Sequence, residues 1–387
     1  MYTVILKKNE EKRVLYHPWV YANEVQRVEG KDKQGSVAAV RSSDGRLVGY
    51  GFINHLSKIL VRILSRKEEV FDEKFFADRI AKADDFRREL GYCDAYRVVF
   101  GESDDLPGLI VDKYGEYLSV QFLSLGMDVR RDMIVDILVE RFRPKGIYER
   151  SDVSVRQKEG LEERTGVLYG EVPELVPIRE NGSTLYVDII GGQKTGYFLD
   201  QQENRSNIAR YVKGKTVLDC FSNAGGFSMV AARGGAKEVT AVDISRKALD
   251  LVEKSAEVNG YANVKAVQAD VFEYLRTQRK EGVRYDVIVL DPPAFTKSKD
   301  TVKSGMAGYK DINICALKLL AESGVLVTCS CSQHLTMPLF LKMLEESVKE
   351  SGVRCRLLEV RTQGRDHAPS MTEEETLYLK VAVLKAY

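Results

Sequence analysis

Apolar and polar positions alternate with a period near two through the first 65 residues, in the segments VILKK (4–8), SVAAVRSSDGRLVGYGFI (36–53) and KILVRILS (58–65). Turn chemistry at Ser43, Asp44 and Gly45 interrupts the second segment, so a hairpin is expected there and a small β-barrel over residues 1–70. The period changes to that of a helix over 66–90, where Phe71, Phe75, Phe76, Ile80, Ala83 and Phe86 share one face amid charges. Between 95 and 190, strand patterns (YRVVF, LIVDKY, EYLSVQFLS, TLYVDII) surround one helical stretch near 128–143, which predicts a central α+β domain over 71–188.

From residue 215 the alternation is strict. TVLDCF, EVTAVD, VKAVQAD, YDVIVLD and GVLVTCS read as strands, each followed by a helical stretch, and CRLLEVRTQ and LYLKVAVLKA close the chain as two further strands. Such βαβ repetition demands a parallel sheet with right-handed crossovers, covered by helices on both faces. The expected fold class is therefore α/β, with a class I, Rossmann-like, seven-stranded methyltransferase domain over 189–387 behind the barrel and the α+β domain.

In a doubly wound sheet, ligands bind beyond the carboxyl ends of the strands. Four successive strand ends here carry an acid: Asp219, Asp243, Asp270 and Asp291. The first is followed by the turn Phe221, Ser222, Asn223, Ala224, Gly225, Gly226, whose glycines permit close backbone approach. Asp243 can accept both hydroxyls of a ribose, and Asp270 can accept from an adenine amino group. A dinucleotide site would show GxGxxG, because its helix must approach a pyrophosphate. With no such loop, the phosphate-free cofactor S-adenosyl-L-methionine fits better, with Asp219, Phe221, Asn223, Gly225, Asp243, Ile244, Asp270, Val271, Asp291 and Pro292 as its candidate contacts.

Asp291-Pro292-Pro293-Ala294-Phe295 resembles motif IV of nucleic-acid amino and cytosine methyltransferases. Its prolines stiffen a backbone that can meet a base, and Pro293 and Phe295 are candidate substrate contacts. The end of the fifth strand, Thr328-Cys329-Ser330-Cys331-Ser332, discriminates further. Carbon C5 of cytosine is not nucleophilic until a thiolate adds at C6, whereas nitrogen methylation has no such requirement, so a cysteine here points to C5 chemistry. LVTCSCS resembles the LVYSTCS pattern of RNA cytosine-C5 methyltransferases, which sets Cys331 as the nucleophile and Cys329 one step inside the strand. Asp291 is the candidate for removing the C5 proton. Cys220, beside the glycine turn, is expected to pack against the cofactor.

Charge refines the partner. The formal net charge of +1 excludes a blanket polyanion binder, yet residues 1–70 hold 13 Lys/Arg against 8 Asp/Glu, and the loop 296–310 holds Lys297, Lys299, Lys303 and Lys310 against Asp300. Both clusters suit phosphate contact, and Lys297, Lys299 and Lys310 are candidate RNA ligands. The six cysteines form no CxxC pair, so no metal site is expected. The absence of an apolar stretch of about 18 residues and a charged N-terminus argue for a cytoplasmic protein with no membrane segment.

These features converge. HPWV (17–20), GESDDLPGLIVDKYG (101–115), YERSD (148–152), GQKTGYFLDQQENR (192–205), LDCFSNAGGF (218–227), DPPAFTKSK (291–299), GYKDIN (308–313) and TCSCS (328–332) give the chain a whole-length resemblance to the PUA-domain-bearing large-subunit (23S) rRNA cytosine-C5 methyltransferases. The resemblance implies an RNA-binding PUA fold near 1–70, with Trp19 toward the substrate, and a segment over the cofactor in which Tyr197, Gln201 and Arg205 are contacts. It is compatible with a homodimer. Two readings compete: a guanine-N2 (amino) methyltransferase, since related domains share DPP-x-F without needing Cys331, and a non-catalytic RNA-binding ribosome-assembly factor.

Overall fold

The computed structural model describes residues 1–296 and 299–387, with the side chain of residue 299 left aside. The chain divides into two compact units, one formed by 1–176 with 188–197 and 365–376, the other by 177–187 with 198–364 and 377–387.

In the first unit a six-stranded sheet runs in the order Trp19–Tyr21, Ile59–Ser65, Leu47–Ile53, Val37–Arg41, Tyr2–Leu6, Val25–Glu29. Only Ala22–Glu24 separate its two edge strands in sequence, so the sheet curls on itself around Val4, Leu6, Val20, Val40 and Val61. The expected hairpin joins Val37–Arg41 to Leu47–Ile53, with Gly45 at φ 89°. A five-stranded sheet follows, covered by the helices Glu73–Glu89 and Arg131–Phe142. The first of these starts at Asp72, whose side chain accepts from the Phe75 N–H, so it begins seven residues later than the periodicity indicates. Phe76, Ile80 and Ala83 of the predicted face are buried, whereas Phe86 is exposed. The helical stretch near 128–143 is two helices, Leu125–Asp128 and Arg131–Phe142, separated where Arg130 turns its guanidinium back to the Gly35 and Gly126 carbonyls. Phe52 and Leu64 of the barrel share a core with Phe76, Val98 and Phe122 of the α+β layer.

The second unit holds the seven-stranded sheet: β1 (Thr216–Cys220), β2 (Glu238–Asp243), β3 (Val264–Gln268), β4 (Tyr285–Leu290), β5 (Leu320–Ser330), β6 (Cys355–Arg361) and β7 (Lys380–Ala386). Its order is β3-β2-β1-β4-β5-β7-β6, parallel from β3 to β5 and antiparallel at β5/β7 and β7/β6. Helices α1 (Gly226–Arg233), α2 (Arg246–Asn259), α3 (Val271–Lys280), α4 (Val302–Leu319) and α5 (Met337–Ser351) connect the strands. Alternate β1 residues feed opposite cores: Val217 packs with Phe227, Val289 and Val327, and Leu218 with Ile288, Ile312 and Leu326. TLYVDII contributes the strand Ser183–Val187, which joins this unit because its Thr184 and Tyr186 N–H groups donate to Asn259 and Ser255 of α2. No helix among the described residues is long and apolar enough to cross a membrane.

Candidate active site

The chain reverses sharply after β1. Phe221 and Asn223 take φ of 61° and 47°, and Gly225 takes 79° before α1 begins at Gly226. Two non-glycine residues in the left-handed region are costly and persist only where surroundings hold them. Asp243 supplies part of that hold: one of its oxygens accepts from the Asn223 N–H (3.0 Å) and the other from the Ser245 N–H (2.9 Å). A carboxylate has about four lone-pair sites, so each oxygen keeps capacity for a hydroxyl. At Gly225 a Cβ would approach Val252 to 2.9 Å, so the turn needs glycine for packing as well as for its dihedral.

Asp219 is buried at 1% exposure. Its Oδ2 accepts from the Ser228 N–H (3.0 Å) and hydroxyl (2.6 Å), while Oδ1 has no hydrogen-bond partner among the described residues. Burial pushes its pKa up to about 7, and repulsion from Asp291 and Asp243 adds to the rise. Three carboxyl groups thus repel one another at the ends of β1, β2 and β4. A sulfonium bearing an ammonium group answers that repulsion, so the residues present fit S-adenosylmethionine. Asp270 spends one oxygen capping α3 through the Glu273 N–H (3.1 Å) and is exposed. Ile244 is 67% exposed beside Asp243, and Val271, the first residue of α3, is buried.

The raised pKa has a signed consequence for the cofactor-free protein. Because folded Asp219 binds its proton more tightly than the unfolded chain does, stability should fall as pH rises from about 4 to 7, by at most about 1.4 kcal/mol per pH unit. Urea unfolding of Asp219→Asn should lose this part of the slope. Identical slopes in both proteins would mean that Asp219 is already ionised at pH 5.

The Asp291 carboxylate accepts from Gln201 Nε2 at 2.9 Å, and Gln201 Oε1 accepts from Asn204 at 2.8 Å. Gln201 is thus turned to Asp291 and, through the same buried cluster, to the Cys329 thiol. Pro292 is buried and Pro293 exposed. Phe295 is half-buried in an aromatic group, 4.6 Å from the Tyr309 centroid and 5.8 Å from that of Phe272. Tyr309, which strand-end reasoning did not single out, organises this corner: its hydroxyl is 2.8 Å from Ser332 Oγ and accepts from the Phe295 N–H at 3.4 Å. Ser332 Oγ accepts in turn from the Thr296 N–H. Gly305 of α4 is required by this packing, since a Cβ there would meet Thr296 Oγ1 at 2.2 Å.

The two strand-end cysteines differ in environment. Cys329 is fully buried, and desolvation followed by the Asp291 charge pushes its thiol well above the ordinary range. Cys331 lies just past the end of β5 and is partly exposed. Cys220 is fully buried among Leu218, Val242 and Leu290, and burial pushes its thiol up as well.

The remaining sequence-derived candidates have partners of their own or lie outside the described residues. Arg205, 3% exposed, forms a two-pronged pair with Glu180 at 2.5 and 2.7 Å. Lys310 pairs with Glu346 (3.3 Å) and Glu350 (2.5 Å) of α5. Tyr197 belongs to the first unit, where its N–H donates to the Tyr114 hydroxyl. Trp19, also of the first unit, donates from its indole to Glu102 (2.8 Å) under the Arg62 guanidinium. Lys297 and the Lys299 side chain lie outside the described residues.

A sheet ordered 3-2-1-4-5-7-6 with acids at its first four strand ends defines a class I S-adenosylmethionine-dependent methyltransferase, here preceded by a PUA-like barrel. Comparison with known proteins agrees: residues 154–366 match the S-adenosylmethionine-dependent methyltransferase family, and residues 4–66 match the PUA-like domain. The chain belongs to that methyltransferase family, together with the proteins called ribosomal RNA large subunit methyltransferase I. Those of Aeromonas salmonicida and Vibrio cholerae are each 42% identical to it, the first over 99% of both chains and the second over 94% of both. Among solved structures, an S-adenosylmethionine-dependent methyltransferase from Streptococcus mutans superposes over the full length of both chains with a TM-score of 0.83 at 26% identity. A methyltransferase solved with S-adenosylhomocysteine does so with a TM-score of 0.85 at 26% identity.

Proposed function

We propose that this protein forms 5-methylcytidine in large-subunit ribosomal RNA, with Cys331 as the nucleophile. Its relatives named for the large-subunit RNA support the substrate, which also accords with a cytoplasmic location. The observation that carries the carbon chemistry is the contrast at the end of β5: Cys329 is sealed in the core, while Cys331 is only partly buried and immediately precedes Ser332, whose hydroxyl accepts from the Thr296 N–H just past the DPP-x-F turn. A nitrogen methyltransferase has no use for a thiol there.

S-adenosylmethionine supplies an electrophilic methyl group. The Cys331 sulfur adds to C6 of the base, and the C5=C6 electron pair takes the methyl at C5. Loss of the C5 proton and cleavage of the S–C6 bond then restore the double bond and the thiolate. We assign the proton to Asp291, whose carboxylate Gln201 orients. Asp243 holds the cofactor ribose in this reading. Asp243→Ala should therefore lower S-adenosylhomocysteine affinity by roughly 100-fold or more in calorimetry, the order expected for two hydrogen bonds to a charged group. Undiminished affinity would move the ribose elsewhere.

The basic barrel is proposed to dock RNA through phosphates. Because Phe52 and Leu64 also fill the core of the α+β layer, its role is best probed by charge substitutions that leave the barrel in place. The product tests the reading as a whole. Large-subunit RNA methylated by the purified protein, digested to nucleosides and analysed by mass spectrometry, should contain new 5-methylcytidine. N2-methylguanosine in its place would establish the amino-methyltransferase alternative.

A further inference from the structure

Lys380 lies on β7 directly opposite Ser330 of β5 and is 4% exposed. Its Nζ donates to the Ser332 and Tyr378 carbonyls, each at 2.6 Å, and no carboxylate among the described residues pairs with it. A buried ammonium held by carbonyls alone is costly, because two dipoles replace only part of its lost hydration. Burial accordingly pulls its pKa down to about 8, and the charge that opposes this is that of the Cys331 thiolate. Cys331 immediately precedes the residue whose carbonyl anchors Lys380. Among the described residues, the Tyr309 hydroxyl and the Cys329 thiol also feel the Cys331 charge, and burial pushes both up so that they stay neutral.

We propose that Lys380 is the positioning residue of the nucleophile: its ammonium, fixed by the two carbonyls, holds the Cys331 sulfur as a thiolate. An ordinary thiol, with a pKa of about 8.5, is mostly protonated at neutral pH, and an adjacent cation favours the anion. The thiol proton passes to solvent, leaving an ammonium–thiolate pair before the sulfur adds to C6. The buried ammonium gains a counter-charge in the same step, so each group stabilises the charged form of the other. The proposal rests on Cys331 being the nucleophile of the C5 reaction.

The test is the pH dependence of Cys331 alkylation by iodoacetamide in the full-length protein, followed peptide by peptide in the mass spectrometer. Lys380→Gln keeps a hydrogen-bond donor and removes the charge; it should move the Cys331 profile up by about one to two pH units and slow alkylation at pH 6.5 by about 10- to 100-fold. Lys380→Arg keeps the charge and should leave the profile near that of the wild type. A profile unmoved in Lys380→Gln, or moved equally in Lys380→Arg, overturns the proposal. The coupling is also legible from its other end without touching Lys380: in Cys331→Ser, the 15N titration of the Lys380 ammonium should shift to lower pH, and an unchanged midpoint would count equally against it. Neither measurement involves RNA. A failed C5 mechanism would instead show itself as a Cys331→Ala enzyme that still methylates.

Discussion

Cys331→Ala should make no methylated product, a loss of at least about 1,000-fold in kcat, because removing a nucleophile disables the other catalytic groups that act with it. Cys329→Ala should retain activity within about 10-fold, since that residue only fills the core between Val327 and Val381. Its cost should appear in stability instead, at about 1–2 kcal/mol for a small buried side chain. RNA carrying 5-fluorocytidine at the target provides the mechanistic readout. After addition at C6 and one methyl transfer, fluorine cannot leave as a proton does, so the wild type and Cys329→Ala should remain covalently attached to RNA in a denaturing gel. Cys331→Ala should show no adduct. If Cys331→Ala methylates at near wild-type rate, the carbon mechanism falls and nitrogen methylation takes its place.

Arg205→Ala should destabilise the protein by about 3–5 kcal/mol, because it strands the Glu180 carboxylate without its two-pronged partner. The pair ties the strand Val176–Glu180 to the helix Gln202–Ile208, which immediately follows Gln201. Replacing both partners together, as Arg205→Met with Glu180→Leu, should recover most of the loss, since apolar groups of similar volume carry no desolvation cost. Denaturant unfolding measures both effects. In the folded fraction of the single variant, S-adenosylhomocysteine affinity should change by less than about 10-fold. A variant of near wild-type stability that fails to bind the cofactor would make Arg205 a ligand contact after all.

These expectations divide according to what is local in the chain and what is not. The period-two and period-3.6 patterns, the Ser43-Asp44-Gly45 turn and the β-pair at the C-terminus depend on neighbouring residues, and the barrel and the seven-stranded sheet follow from them. The start of the helix at Asp72 was less legible, because a cap outweighs the apolar pattern upstream of it. The break near Arg130 was hidden as well, since Arg130 turns back to the Gly35 carbonyl, 95 residues away. Strand ends carry their own acids, so the edge formed by Asp219, Asp243 and Asp291 could be foreseen without coordinates.

The class of chemistry is written along the chain: a strand-end acid array for a phosphate-free cofactor, and thiols that follow a DPP-x-F motif. The state of each group emerges with the packed fold, because proton affinity depends on desolvation and charge supplied by residues distant in the chain. Cys329 and Cys331 differ by two positions, yet one is closed off by Val381 and Leu379 of the C-terminal segment. Gln201 meets Asp291 across 90 residues, and Lys380 reaches the Ser332 carbonyl across 48. A lysine in the apolar run LYLKVAVLKA was the visible trace of the last contact. Its meaning required the β5/β7 register, which sets buried Lys380 opposite Ser330, one residue before Cys331.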